Sequence, residues 1–157
     1  MDYLPIAVKL KDKRVVVVGG GQVALRKIKT LLDAGARVHV ISPASAPGVR
    51  RLATDGAITW ARRHVRRTDI RNASLVIAAT NDPVVNEHIS QWAREHDVSV
   101  NVVDHPAISD FISPAVIRLK KALIAVYTDG RDPVLSRDIK NFLKERWDDF
   151  LSYRNRS

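Results

Sequence analysis

Three consecutive glycines follow a run of four valines near the start of the sequence, and their spacing suggests a phosphate-binding loop. Gly19, Gly21 and Ala24 fit the G-x-G-x-x-G/A pattern. The first glycine permits a tight turn, the second lets the backbone approach a pyrophosphate, and the small Ala24 lets the next helix pack closely. Because the triplet ends a strand-like run and opens a helix-like one, it predicts a dinucleotide site. The alternative is a tight turn needed only for packing.

A second group of polar residues follows two further apolar runs. Asp104 comes directly after one of them, and Thr80 and Asn81 come directly after the other. Ligands bind at the carboxyl ends of strands in a doubly wound sheet, so these residues and the glycine loop should surround one cleft. A carboxylate there could accept a proton or position a substrate. The alternatives are a capped turn before Pro106 for Asp104, and a solvated side chain for His105.

The end of the second predicted strand lacks the acidic residue that usually binds the ribose hydroxyls of NAD. Ile41, Ser42, Pro43 and Ala44 stand there, and no arginine adjoins them to hold a 2′-phosphate. Ser42 or the backbone around Pro43 and Ala44 could bind the ribose instead. These residues alone leave the choice between NAD and NADP open.

Hydrophobic patterning places these residues on alternating strands and helices. We expect strands near 15–18, 38–41, 57–61, 75–79 and 98–103, and helices near 23–34, 46–54 and 83–96. This alternation is typical of an α/β domain, a Rossmann-like, doubly wound parallel sheet with helices on both faces. We assign residues 1–104 to that domain.

The pattern changes from residue 105 onward. Two strands are expected at 111–119 and 122–127, followed by one long amphipathic helix from about Pro133. Its apolar stripe comprises Ile139, Phe142, Leu143, Trp147, Phe150 and Leu151. We therefore expect residues 105–157 to form a small α+β extension whose stripe packs on the domain or builds a homodimer.

Composition excludes several classes of protein. The chain of 157 residues contains no cysteine, which removes disulfide scaffolds, thiolate metal sites and cysteine nucleophiles, and suits a reducing cytoplasm. We find no run long enough to span a membrane, no signal peptide and no metal-binding motif. The formal net charge of +9 favours an anionic partner.

Seven arginines contribute to that charge within residues 50–71, at positions 50, 51, 62, 63, 66, 67 and 71. The stretch could be a solvated face or an anion site. No aromatic–glycine RNA-binding motif or zinc finger accompanies it, which weighs against nucleic acid.

Four segments in order resemble the precorrin-2 dehydrogenase / sirohydrochlorin ferrochelatase family, the dehydrogenase module of siroheme synthase. They are MDYLPIAVKLKDKRVVVVGGGQVALRKIKTLLDAGARVHVISP, SLVIAATNDPVVNEHI, NVVDHPAISDFISPAVI and IAVYTDGRDPVLSRDIKNFL. The resemblance implies a homodimeric enzyme that oxidises precorrin-2 to sirohydrochlorin with NAD. In some members of the family, Fe²⁺ insertion follows to give siroheme.

The same resemblance assigns roles to individual residues. Gln22 and Val23 match the family's pyrophosphate contacts, Pro43 and Ala44 match its ribose and adenine contacts, and Asp104 matches its essential aspartate. Thr128 falls where some members carry a serine near the active site, and we place Thr128 and His105 on the substrate side. His105 and Ser109 stand in the region where the family often has a second acidic residue and a cysteine.

The sequence ends soon after the long helix, without the methyltransferase domain of trifunctional members and much of the helical C-terminal domain of longer ones. We therefore expect the dehydrogenase activity and leave metal insertion open. Two other functions stay open from the residues themselves. One is a non-catalytic module that senses NAD(H), and the other is a basic nucleic-acid binder.

Overall fold

The structure is a computed structural model that describes residues 3–103, 105–119 and 122–154. Its larger unit, Pro5–Phe111, is built on a five-stranded parallel sheet with the order β3-β2-β1-β4-β5. The strands are β1 (Arg14–Val18), β2 (Arg37–Ile41), β3 (Thr59–Ala61), β4 (Leu75–Ala78) and β5 (Val100–Val102). The predicted Rossmann-like α/β fold is confirmed.

Four helices cover the two faces of this sheet. They are α1 (Gln22–Asp33), α2 (Pro47–Thr54), α3 (Arg67–Ile70) and α4 (Pro83–Glu95). Side chains of α1 and α2 pack with one set of strand residues, and side chains of α3 and α4 pack with the other set. The four valines of β1 are buried from both sides, which explains why this strand is apolar at every position.

Helix α3 is absent from the sequence-based expectation because four residues are too short to show a helical period. Local hydrogen bonds define it instead. The Asp69 carboxylate accepts the Arg66 backbone N–H at 2.7 Å and a bidentate pair of bonds from Arg63, each 2.7 Å. One arginine of the 50–71 stretch is therefore used inside the fold.

Residues 109–111 are hydrogen-bonded along β5, an edge strand of the sheet. The Ser109 hydroxyl accepts the Val102 N–H at 2.8 Å, and the Asp110 carboxylate accepts the Val100 N–H at 2.9 Å. The Asn101 side chain donates to the Phe111 carbonyl at 2.9 Å. These bonds continue the larger unit through Phe111.

The smaller unit comprises residues 112–154 together with residues 3 and 4. It contains the antiparallel pair β6 (Ala115–Arg118) and β7 (Leu123–Val126), and the helices α5 (Pro133–Glu145) and α6 (Trp147–Arg154). Within the part of the chain that is described, no helix is long and apolar enough to cross a membrane.

The expectation of one long C-terminal helix is wrong, because the helix is interrupted at Arg146. Arg146 has φ −92° and ψ 6°, and its N–H donates to the Phe142 carbonyl as α5 ends. Asp148 and Asp149 lie in the first turn of α6, where carboxylates favour a new helix start. Arg146 also pairs with Asp149 at 3.0 Å, and both side chains are exposed.

The Asp69 interactions predict a pH-dependent contribution to stability. The hydrogen bond from Arg63 lowers the pKa of Asp69, while partial burial opposes that change. Because the pKa is lowered by folding, the stabilisation is complete above the ordinary carboxyl pKa and disappears as the pH falls through the lowered value. We expect Asp69→Asn to lower the free energy of unfolding by about 1–2 kcal/mol at pH 7, with a shrinking difference below about pH 4.

Urea titrations of the wild type and of Asp69→Asn over this pH range measure the difference in the free energy of unfolding. Asp55→Asn serves as the control, since the exposed Asp55 carboxylate lies 3.8 Å from the Arg51 guanidinium and the loss of this pair should change little. An equal loss in the two variants would contradict the role given to Asp69.

Candidate functional site

The glycine loop passes between the carboxyl ends of β2 and β4 and is in close backbone contact with both. A Cβ atom on Gly19 would lie 2.2 Å from the Ala79 carbonyl oxygen, and the φ of Gly19 is +117°. Its N–H donates to the Ile41 carbonyl at 3.0 Å, while the Ala79 N–H donates to the Val18 carbonyl at 2.8 Å. Only glycine satisfies both the contact and the backbone angle at this position.

The next two glycines have different surroundings. A Cβ atom on Gly20 would lie 2.4 Å from the Ala44 carbonyl oxygen, and the Gly20 carbonyl accepts the Ala46 N–H at 2.7 Å. A Cβ atom on Gly21 would have no atom of the described chain within 4 Å. Gly21 precedes α1 as its N-cap, so the open space lies beside the first turn of that helix.

A cavity of about 660 Å³ opens above this loop, which is a size typical of small-molecule sites. The segments that follow β1, β2, β3 and β4 line it, together with one face of α4. Its walls include Gly19, Gly20, Gly21, Ser42, Pro43, Ala44, Ser45, His64, Val65, Thr80, Asn81, Asp82, Val85, His88 and Trp92.

The segment after β2 forms one wall through its backbone. The Ser42 hydroxyl donates to the Ala44 carbonyl at 2.6 Å, and the Ser42 carbonyl accepts the Trp60 indole N–H at 3.0 Å. Pro43 and Ala44 are exposed at the cavity rim. The Ser45 hydroxyl oxygen is buried and finds no hydrogen-bond partner among the described residues.

The segment after β4 is fixed by a side chain of α4. The Thr80 hydroxyl lies 2.7 Å from the Asn86 amide oxygen, and the Asn86 amide nitrogen donates to the Thr80 carbonyl at 3.1 Å. The Asp82 carboxylate caps α4 by accepting the N–H groups of Val84 and Val85. The polar groups of Thr80 and Asp82 are therefore used in shaping this wall.

The residues present fit a dinucleotide. The first N–H groups of α1 have no carbonyl partner within the helix, and Gly21 leaves space beside them for a phosphate. The unpartnered Ser45 hydroxyl adds a polar group close to the loop. The combination of donors, positive helix end and open volume is what a pyrophosphate requires.

The structure brings most of the predicted cofactor residues around this one cavity, namely Gly19, Gly21, Ser42, Pro43, Ala44, Thr80 and Asn81. Gln22, Val23 and Ala24 form the first turn of α1 and do not line it; Ala24 is fully buried against the sheet.

The remaining predicted site residues are Asp104, His105 and Thr128. Asp104 lies outside the described residues. His105 is exposed, and its carbonyl accepts the Ser109 hydroxyl at 2.9 Å. Thr128 belongs to the smaller unit, where its hydroxyl lies 2.7 Å from the Ser136 hydroxyl and also donates to the Asp132 carbonyl. Their roles stay predictions from the family resemblance.

Sequence reasoning missed several residues that shape the cavity. Asn86 positions Thr80, and Val85, His88 and Trp92 line the wall formed by α4. Their spacing could have placed Val85, His88 and Trp92 on one face of a helix. It could not have shown that this face lies over the cavity, because that depends on how α4 packs on the sheet.

Comparisons with known proteins agree with a dinucleotide-binding domain. Residues 6–115 match a family described as putative NAD(P)-binding. The siroheme synthase of Methylococcus capsulatus is 46% identical over 89% of this chain and 30% of its own length. Siroheme synthase 1 of Aeromonas salmonicida is 42% identical over 92% of this chain and 31% of its own length. The chain thus spans under a third of these curated relatives.

One solved structure matches this chain over a larger share of its own length than these siroheme synthases do. The protein named SirC, precorrin-2 dehydrogenase, is 28% identical and superposes with a TM-score of 0.81. The match covers 92% of this chain and 71% of SirC.

Because a methyl group at Gly21 would meet open space, we expect Gly21→Ala to weaken NAD binding strongly and to change protein stability only modestly. Gly21→Ala adds a methyl group that meets no described atom beyond the adjoining residues, so we expect no steric cost and a loss of only about 0.5–1 kcal/mol, because glycine is preferred over alanine at an N-cap. The methyl group would occupy the space required by a pyrophosphate, so we expect NAD binding to weaken about tenfold or more. Calorimetric titration with NAD and thermal unfolding measure the two effects.

Gly56→Ala is the matched control. Gly56 has φ +73° in a turn away from the cavity, and its Cβ atom would also meet nothing within 4 Å of the described chain. This variant should lose about 1 kcal/mol of stability through backbone strain and keep its NAD affinity. Unchanged NAD affinity in Gly21→Ala would contradict the placement of the pyrophosphate.

Proposed function

We propose that this chain, which belongs to the family described as putative NAD(P)-binding, oxidises precorrin-2 to sirohydrochlorin with NAD as the hydride acceptor. The observation that carries the proposal is the likeness to SirC, which extends through both units in fold and sequence. The similarity to siroheme synthases over most of this chain supports the same reaction. The lack of cysteine suits a reducing compartment, and we place the reaction in the cytoplasm.

The chain's own residues bind and orient the reactants. Backbone N–H groups at the start of α1 would hold the pyrophosphate, and the segment Ser42–Ala44 would hold the adenosine ribose. Bound NAD supplies the hydride acceptor. Loss of a hydride from precorrin-2 must be accompanied by loss of a proton, and we assign acceptance of that proton, or positioning of the macrocycle, to Asp104.

The substrate is a tetrapyrrole that carries many carboxylates. A formal net charge of +9 favours its approach, and arginines can form charge-assisted hydrogen bonds with carboxylates. His105 and Thr128 are assigned to the substrate on the family resemblance.

A coupled assay tests the reaction. Purified protein with precorrin-2 and NAD should form sirohydrochlorin and NADH, followed by absorbance. Asp104→Asn should lower turnover about 100-fold or more, which is the usual contribution of a positioned acid–base group, and should leave NAD affinity within about twofold. Parallel reactions with NADP and with added Fe²⁺ test cofactor choice and metal insertion.

Asp97→Asn is the control for that variant. Asp97 is exposed in the turn after α4 with φ +53°, a conformation that asparagine tolerates, so turnover should be unchanged. NAD binding without formation of sirohydrochlorin would favour a sensing module. Full turnover in Asp104→Asn would remove the role given to that carboxylate.

We also propose that the chain acts as a homodimer through its smaller unit. Exposed apolar side chains are concentrated there, and Leu135, Ile139 and Phe142 share one face of α5 at intervals of four and three residues. The full set of exposed large apolar residues in this unit's strands and helices is Leu123, Val134, Leu135, Ile139, Phe142, Phe150, Leu151 and Tyr153. An exposed apolar helix face of this kind is typical of an interface, and a two-fold dimer can bury the same face on both copies.

Phe142→Glu should convert the dimer to a monomer, because Phe142 is 59% exposed in the single chain and a carboxylate would be buried in the interface. Light scattering at micromolar concentration measures the mass. Lys144→Glu places the same new side chain on the far side of α5 and should leave the dimer intact. A monomeric wild-type protein would contradict the proposal.

A further inference from the structure

One wall of the cavity is apolar and aromatic, and its side chains take no part in the hydrogen bonds described above. Val85, His88 and Trp92 occupy positions i, i+3 and i+7 of α4, so they lie in one row along the helix. All three line the cavity, and Val65 lines it from the segment after β3. A polar phosphate site alone would not require this apolar, aromatic wall.

The rings of Trp92 and His88 are stacked on each other. Their centroids are 5.8 Å apart and their planes differ by 18°. Trp92 is half-buried and packs against the core beneath α4, whereas His88 is exposed. The indole is therefore anchored on one side by the core and held in orientation by the imidazole, while part of its surface remains accessible from the cavity.

The position of this wall relative to the glycine loop indicates which half of a dinucleotide it would meet. The ribose of the adenosine half is bound at the end of β2 in doubly wound sheets. Val65 follows β3, the strand that pairs with β2 on the side away from β1. Val65, Val85 and Trp92 also pack against the same core cluster, which contains Ile41 at the end of β2. The wall and the segment Ser42–Ala44 therefore line the same part of the cavity, which is the adenosine side.

We propose that Trp92, with Val65 and Val85, is the adenine-binding surface of this site, and that His88 is a positioning residue that orients the indole. The inference rests on the NAD binding included in the proposed function. Purine rings stack well on aromatic side chains and fill apolar pockets. Since no carboxylate follows β2 to bind the ribose hydroxyls, the adenine contacts carry more of the recognition of the cofactor.

Titration with ADP-ribose tests this surface without any turnover, because that molecule keeps the adenosine half and lacks the nicotinamide. We expect ADP-ribose to quench the fluorescence of Trp92. Trp92→Phe should lose most of the quenching and keep its affinity within a few fold, because the phenyl ring still stacks. Trp92→Ala should weaken ADP-ribose binding about tenfold. Trp147→Phe is the control and should retain the quenching, because Trp147 packs against Phe150 and is not among the residues that line the cavity.

Nicotinamide mononucleotide gives the complementary measurement. It lacks the adenine, so Trp92→Ala and wild type should bind it equally, and an equal loss of affinity for both ligands would overturn the proposal in favour of a general structural role. His88→Ala should weaken ADP-ribose binding by a smaller factor and leave nicotinamide mononucleotide unaffected. Trp92→Leu keeps the apolar volume and replaces the alanine variant if that protein does not fold.

The outcomes separate this inference from the proposed function. Wild-type affinity for ADP-ribose in Trp92→Ala would overturn the adenine surface and leave precorrin-2 oxidation standing. Trp92-dependent binding of ADP-ribose in a protein that does not oxidise precorrin-2 would support the adenine surface and overturn the enzyme proposal. Failure of wild type to bind ADP-ribose would overturn both.

Discussion

The site depends on close contacts between separate backbone segments at the glycine loop. Gly19 lies against the Ala79 carbonyl and Gly20 against the Ala44 carbonyl, at distances that leave no room for a side chain. These contacts bring the ends of β1, β2 and β4 together. Because the first two glycines make the protein contacts, the third can leave its space to a ligand beside the start of α1.

The sheet order explains why a cavity opens at that point. From β1 the chain moves outward to β2 and β3 with helices on one face, and it then returns to β4 and β5 on the other side of β1. The helices that follow β1 and β4 therefore lie on opposite faces, and the crevice between them is where doubly wound sheets bind ligands. The segments after four of the five strands meet there.

Several arginines of the 50–71 stretch make contacts within the protein and do not serve only to give it a positive charge. Arg63 is bound to Asp69, and Arg67 pairs with Glu95 at 2.8 Å, so part of the arginine-rich stretch stabilises α3 and its contact with α4. Arg14 donates to the carbonyls of Asp69 and Arg71 and attaches the same stretch to β1. Exposed arginines such as Arg62 and Arg66 remain accessible for an anionic ligand.

The sequence by itself determined the elements with strong local signals. The valine run, the glycine spacing and Pro83 after Asp82 predicted β1, the loop with α1, and the start of α4, because strand burial, turn geometry and helix capping are properties of neighbouring residues. The same signals placed Ser42, Pro43, Ala44, Thr80 and Asn81 at one edge of the sheet, where the structure has them.

The tertiary structure decided what depends on packing between distant segments. Arg14 of β1 donates to the Asp69 carbonyl, Arg67 of α3 pairs with Glu95 of α4, and the Trp60 indole donates to the Ser42 carbonyl. The aromatic wall of Trp92 is the clearest case. Its helical spacing is local, but its position over the cavity requires α4 to pack on the sheet, and no pattern within one segment contains that information.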